Sequence, residues 1–178
     1  SLIMWNFKRQ LYATYNIPII PCSASASSGG TGVAEYSILL EKPLGGIVII
    51  EFDAVGIPDK IEILHNGIKK ATSGMTIANA GPFDNLYGDP TVPTVIEANA
   101  VDQFIGTDKG TIPTRDSDFL TDTGITDITR TKQQLIWFVY TSTDYGVSDS
   151  VIIRVTGPTP STGWSLTRLC TDQDPIGI

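Results

Sequence analysis

The chain has 178 residues, 41% of them hydrophobic, and it carries a formal net charge of −7. A chain of this length can bury roughly 70% of its unfolded surface, so we expect one domain that needs neither a metal nor a disulfide to fold. The acidic balance argues against nucleic acid as a partner, because non-specific binding requires clustered Lys and Arg. No apolar run reaches the length of a transmembrane helix, so we expect no membrane partner either.

The first twenty residues carry many apolar side chains with neither a helical nor a strand period. Left in water such side chains invite aggregation, whereas burial against a neighbour would stabilise a complex. We therefore predict an N-terminal arm that mediates assembly; an arm folded back on its own domain is the alternative. The arm residues are Leu2, Ile3, Trp5, Phe7, Leu11, Tyr12 and Tyr15.

The start of the chain also bears on where the protein is made. Lys8 and Arg9 follow the apolar residues, whereas in a secretory signal the positive charges precede them. Ser1 is the kind of residue that remains when an initiator Met is removed. We expect a complete protein made in the cytoplasm, with a fragment of a longer secreted protein as the alternative.

After the arm, the segment Ser23–Gly32 is small, polar and rich in Gly, which predicts a linker or a long loop. A strand is predicted at Val33–Leu40. We therefore divide the chain into an arm and linker over 1–32 and a folded domain over 33–174.

The clearest strand signals lie in the range 45–74. Residues 47–52 form a short, largely apolar, β-branched run, which favours a strand over a helix. Pro58 disfavours helix in the residue before it, and alternation of apolar and polar residues follows. Asn66-Gly67 then supplies the two positive-φ residues of a type I′ turn. The stretch predicts a strand, a turn, a second strand, a hairpin and a return strand.

Between residues 75 and 130 clear strand runs vanish, and Gly, Pro, Asn, Thr and Asp dominate. Such a long irregular insertion is usually functional or a place where a partner packs. Further strands are predicted at Gln134–Tyr140, Ser150–Thr156 and Gly163–Cys170. Strands that arrive singly, without a helical pattern, indicate an all-β fold: an antiparallel β-sandwich of jelly-roll kind.

The chain has two cysteines, Cys22 just after the first candidate strand and Cys170 in the last. First and last strands of a sandwich are often neighbours, so a disulfide between them is geometrically feasible. Two buried free thiols are the alternative in a protein made in the cytoplasm.

No catalytic constellation is evident in the sequence. His65 is the only histidine, and no nucleophile elbow accompanies it, so we predict a structural ring beside the hairpin turn. The spacing of the acidic residues selects no pair for glycoside hydrolysis. We therefore predict a protein that is not an enzyme.

Calcium is the better chemical hypothesis, because Ca²⁺ takes oxygen ligands and sandwich loops offer them readily. Asp53 and Asp59 flank the turn before the hairpin and could share an ion, although each could instead stabilise that turn. Asp116, Asp118 and Asp122 provide alternating carboxylates but lack the Gly and the terminal Glu of an EF-hand. We expect no other cofactor.

Two separated motifs resemble a small β-sandwich module found in virion proteins of tailed bacteriophages and in bacterial carbohydrate-binding-like domains. The first has the pattern PDR…NG…TG and the second TGW…C, and Lys60 stands where the pattern usually has Arg. The matching residues are Pro58, Asp59, Asn66, Gly67, Thr72, Ser73, Gly74, Thr162, Gly163, Trp164 and Cys170.

The resemblance implies a fold but no fixed activity. With the apolar arm, it leads us to expect a non-enzymatic structural protein of a tailed-phage virion, such as a capsid decoration, head fibre, neck or baseplate subunit. Its partners would be other virion proteins and copies of itself. The alternative is an exported, extracellular module that binds glycans with the help of calcium, through Trp137, Trp164 and the acidic loops.

Overall fold

The computed structural model describes residues 17–53, 59–72, 119–128, 134–157, 160 and 163–178. Within these ranges eight strands form two four-stranded antiparallel sheets, which confirms the predicted all-β sandwich. The strands are β1 (Ser25–Gly29), β2 (Gly32–Leu39), β3 (Gly45–Asp53), β4 (Lys60–His65), β5 (Ile68–Thr72), β6 (Gln134–Thr141), β7 (Ser150–Gly157) and β8 (Gly163–Leu169), and a short helix, α1 (Ser142–Val147), follows β6.

The strand pairing is nested. Sheet I has the order β1-β8-β3-β6 and sheet II the order β2-β7-β4-β5, so the first strand pairs with the last, the second with the seventh, and so on inward. Because every one of these pairings is antiparallel, the connections β2–β3, β4–β5 and β6–β7 share one end of the sandwich with the segments before β1 and after β8. We call this the terminal end.

The two sheets bury one apolar core between them. Its members alternate along each strand, as expected when one face of a strand looks inward. Leu166 and Phe52 lie in the middle of sheet I, and Ile153 and Ile63 face them from sheet II. The remaining buried members are Ile20, Ile38, Leu40, Val48, Ile50, Ile61, Ile136, Phe138, Tyr140, Val151, Val155 and Trp164.

A second, smaller apolar cluster covers the outer face of sheet I. Phe119 and Ile125, near the end of the predicted insertion, pack with Ile49 and Leu135 on that face. The Trp137 ring meets the Phe119 ring edge-on, with centroids 5.2 Å apart. Sheet I is therefore buried on both faces here, which explains why the run over 47–50 is continuously apolar.

Two local predictions are wrong. Ser25–Gly29 is not a linker but strand β1, which pairs with β8. Its alternation of Ala toward the core and Ser toward solvent has too little hydrophobic contrast to be recognised as a strand. Helical structure is also present, at 119–123 and in α1. The Thr141 and Asp144 side chains form a capping box at the start of α1, which is a helix-start signal that the sequence does contain.

The predicted hairpin is confirmed. Asn66 and Gly67 have φ angles of 51° and 77°, as the turn between β4 and β5 requires. A register shift between the Ile63–Ala71 and Leu64–Lys69 pairs marks a bulge at Lys70 of β5, beside this turn.

Candidate functional site

Several polar side chains meet at the terminal end of the sandwich. A cleft of about 190 Å³ opens there. It is floored by apolar side chains of β2 and β3 and rimmed by charged groups. The lining comprises Cys22, Leu39, Leu40, Glu41, Lys42, Ile47, Val48, Tyr140, Arg168, Leu169, Cys170, Thr171 and Asp172.

A disulfide forms one wall of the cleft. Cys22 and Cys170 are bonded, with their Cα atoms 5.9 Å apart, and both residues are exposed. The bond ties the chain just before β1 to the chain just after β8, because these strands are neighbours in sheet I. Of the two alternatives that the sequence leaves open, the structure contains the disulfide.

Arg168 also lines the cleft. Its Nη1 donates a hydrogen bond to the Ile20 carbonyl at 3.1 Å, and its Nη2 lies 3.6 Å from Glu41 Oε1. The Arg168 side chain is only 11% exposed, so both interactions hold a largely desolvated guanidinium. Arg168 thus joins the end of β8 to the segment before β1 and to the β2–β3 connection.

Lys42 and Tyr140 fix the β2–β3 connection itself. Lys42 Nζ donates to Asp174 Oδ1 at 2.9 Å, and this hydrogen bond raises the pKa of Lys42. The Lys42 backbone N–H donates to the Tyr140 hydroxyl at 3.2 Å, and burial raises the pKa of Tyr140. A Cβ on Gly46 would lie 2.6 Å from that hydroxyl, so the ring requires glycine there. These groups form a structural network of a protonated amine and a neutral phenol.

His65 has structural partners. The ring is buried, and its Nε2 lies 3.0 Å from the Ser148 carbonyl, to which it donates a hydrogen bond. The ring also packs against Phe138, with centroids 5.7 Å apart. His65 therefore connects the β4–β5 hairpin to the segment after α1.

The predicted calcium ligands lie at strand ends opposite the terminal end. Asp53 ends β3 and is half-buried, whereas Asp59 is fully buried just before β4. Among the residues that the structure describes, no group of three His, Cys, Asp or Glu side chains is placed to hold a metal ion. Asp116 and Asp118 lie outside the described residues, and Asp122 is exposed. Calcium binding stays a prediction.

Lys60, where the module pattern has Arg, is buried on the outer face of β4. Its Nζ lies 3.6 Å from Glu62 Oε1. Glu62 is in register with Arg154, whose guanidinium lies 3.6 Å from Glu35 on β2. The outer face of sheet II thus carries a row of alternating charges across three strands. Lys60 belongs to this row and lies beside the Glu62 carboxylate.

The two tryptophans that the glycan-binding alternative requires are not placed to bind a sugar together. Trp164 is in the core between the sheets and only 4% exposed. Trp137 is on the outer face of sheet I beneath Phe119. Because they face opposite sides of the same sheet, they cannot form one stacking surface.

The predicted arm residues Leu2, Ile3, Trp5, Phe7, Leu11, Tyr12 and Tyr15 lie outside the described residues. Just after them in the chain, Pro18 and Ile20 hydrogen-bond to Ser37 on β2, and Ile20 is in the core. The described chain therefore begins beside β2. The sequence carries no signal for this pairing, because the partner lies on a different strand.

Comparison with known proteins returns no relative. No family model matches the chain, and no curated protein or solved structure matches it. In the part of the chain that the structure describes, no helix is long and apolar enough to cross a membrane.

Proposed function

We propose that this chain is a non-enzymatic structural subunit of a virus particle, of the tailed-phage type that the module resemblance suggests. The observation that carries the proposal is the nested strand order, β1-β8-β3-β6 against β2-β7-β4-β5. We interpret this order as a jelly roll, because it is the order obtained when one long antiparallel hairpin is rolled into two sheets. Jelly rolls recur in viral capsid proteins and in lectins.

Two further observations favour the virion over the lectin. The tryptophans of the glycan hypothesis lie on opposite faces of sheet I. At the same time the sequence before residue 17 is rich in apolar residues, and the described chain begins beside edge strand β2, where Pro18 and Ile20 bond to Ser37. In this proposal the sandwich is the rigid body of the subunit, the disulfide and the Arg168 contacts lock its terminal end, and the arm joins copies.

The proposal is tested by light scattering on the full chain after size-exclusion chromatography. Because β1 begins at Ser25, the arm is best disabled by substitution, and we use the double variant Trp5→Asp/Phe7→Asp. We expect the native chain to form oligomers and the variant to elute as a monomer of 19.1 kDa. A monomeric native chain at all concentrations would overturn the proposal, and EDTA-sensitive binding of that monomer to a glycan array would favour the lectin.

A further inference from the structure

Strand β2 is an edge of sheet II, and the chain before β1 has already added to it. The Ser37 backbone N–H donates to the Pro18 carbonyl at 2.8 Å, and the Ile20 N–H donates to the Ser37 carbonyl at 2.9 Å. These two bonds make a parallel bridge between Ile19 and Ser37. The outer side of β2 therefore accepts a parallel strand.

The same side of β2 continues beyond this bridge. In an antiparallel ladder alternate residues direct both backbone polar groups to the same side. Val33 and Glu35 thus present their N–H and C=O groups to the same edge as Ser37, while Ala34 and Tyr36 face β7. Among the described residues, no backbone hydrogen bond reaches Val33 or Glu35 from that edge.

Pro18 prevents the chain from extending its own bridge. One step upstream in this register, the N–H of residue 18 would have to donate to the Glu35 carbonyl. Proline has no N–H, and the chain bends at Ile17. The parallel pairing therefore stops at a single bridge, and none of the described residues pairs with the edge from Gly32 to Tyr36.

Exposed apolar side chains lie on and beside this edge, although Glu35, which pairs with Arg154, lies within it. Val33 is 38% exposed, Leu39 is 46% exposed and Ile19 is 58% exposed. An open strand edge flanked by exposed apolar side chains is a template for strand addition.

We propose that the arm of a second copy of this chain, residues 1–16, binds the open edge of β2 as an added strand. This inference rests on the proposed function, since it names the surface that the arm would occupy. Five extended residues suffice to cover Gly32–Tyr36, at about 3.3 Å per residue. About ten residues then remain to span the distance between copies.

The charge of the arm supports its assignment as the strand that binds this edge. The charged side chains of the arm are Lys8 and Arg9, whereas the whole chain carries a net charge of −7. The arm is thus cationic and apolar, and the body that it would bind is acidic. An arm from another copy is not held in the Ile19–Ser37 register, so a residue with an N–H can meet the Glu35 carbonyl.

The experiment removes one backbone donor from the edge. Glu35→Pro deletes an N–H that points away from β7, a position at which an edge strand tolerates proline. Glu35→Ala is the matched control, because it also loses the pair with Arg154 but keeps the N–H. Ser27→Pro places the same change on the outer side of β1. By light scattering on full chains, we expect Glu35→Pro to weaken association at least tenfold and both controls to associate like the native chain.

A mixing experiment distinguishes exchange between copies from an arm on its own edge. Glu35→Pro keeps its arm but lacks a complete edge, and Trp5→Asp/Phe7→Asp keeps its edge but lacks a working arm. We expect each to be monomeric alone and the equimolar mixture to form a heterodimer. A mixture that stays monomeric, or a Glu35→Pro chain that associates like the native one, would overturn this inference while arm-dependent assembly would still stand.

If Glu35→Pro does not fold, as judged by circular dichroism, the edge is tested with a synthetic peptide of residues 1–16. We expect the peptide to bind the full-length Trp5→Asp/Phe7→Asp chain saturably and to slow exchange of the Val33 and Glu35 amide protons. Binding without that protection, or no binding, contradicts the proposed edge.

Discussion

Strands β1 and β2 follow one another in the chain, and each is an edge strand of its sheet, yet their edges differ. β1 is five residues long, and its outward residues are serines; the Ser25 hydroxyl bonds to Thr167 of the neighbouring strand at 2.7 Å. β2 is eight residues long and contains exposed Val33 and Leu39. Short, small and polar edges resist pairing with other chains, whereas long apolar ones invite it.

The proposed strand addition requires this difference, with β1 protected and β2 accessible to a second copy. β1 is further restrained at its start by the Cys22–Cys170 bond. On the far edge of sheet II, strand β5 carries exposed Lys69 and Lys70, a common protection against edge-to-edge pairing. Changes that act on stability should therefore separate from changes that act on association.

The largest expected effect comes from the disulfide. It closes a sequence separation of 148 residues, for which chain entropy gives about 5 kcal/mol of stabilisation. We expect Cys22→Ala/Cys170→Ala to lose up to that amount in urea unfolding, and reductant to destabilise the native chain but not the variant. Association per folded molecule should be unchanged, since β2 is untouched. A variant as stable as the oxidised native chain would show that the bond does not restrain the fold.

The next largest difference in the free energy of unfolding is expected between substitutions on the two faces of β2. Ile38 is fully buried in the core, whereas its neighbour Leu39 is exposed. Ile38→Ala should lower the free energy of unfolding by about 2–5 kcal/mol, and Leu39→Ala by less than about 0.5 kcal/mol. Chemical denaturation of both variants checks this. Equal losses would mean that β2 does not present these residues to opposite sides.

Pro18→Ala acts on the edge itself. It restores an N–H that can donate to the Glu35 carbonyl of the same chain, so the protein's own segment would compete with the second copy. One such bond is worth about 0.5–1.5 kcal/mol, which corresponds to roughly 2–12-fold weaker association. Sedimentation velocity across a dilution series measures the change. Tighter association than that of the native chain would contradict this competition.

A separate effect lies in α1, away from the β2 edge. Hydrogen bonds from the Thr141 backbone N–H and, to a smaller extent, from its hydroxyl lower the pKa of Asp144, and Thr141→Ala removes the second of these bonds. Because the folded pKa is depressed, this contribution is present above the usual Asp range and is lost as the pH falls through the folded value. Thr141→Ala should cost about 0.5–2 kcal/mol near neutral pH, and less at about pH 3, in thermal melts. Association should not respond, and a change in it would link α1 to the edge.

The sequence predicts those parts of the fold where hydrophobic contrast and turn residues coincide. The branched run in β3 and the Asn66-Gly67 turn specify three strands, and adjacent Trp137 and Phe138 face opposite sides of β6 as their alternation requires. β1 is missed because Ala and Ser differ too little in hydrophobicity. The fold class thus follows from local patterns.

The candidate site is less predictable because its contacts are non-local. Arg168 meets Ile20 and Glu41 across most of the chain length, and no spacing signals that. Pro18 is visible in the sequence as a strand breaker, but its effect on the β2 edge depends on the register of the Ile19–Ser37 bridge. The consequence of Pro18 for the β2 edge is therefore apparent only from the structure.

The most direct test of the open β2 edge is amide hydrogen exchange in the native full chain, measured above and below its association concentration. We predict that the Val33 and Glu35 amides exchange slowly only in the associated protein, while the Ala34 and Tyr36 amides, which face β7, are protected in both states. If Val33 and Glu35 exchange at the same rate in the associated and dissociated protein, the β2 edge is not where copies meet.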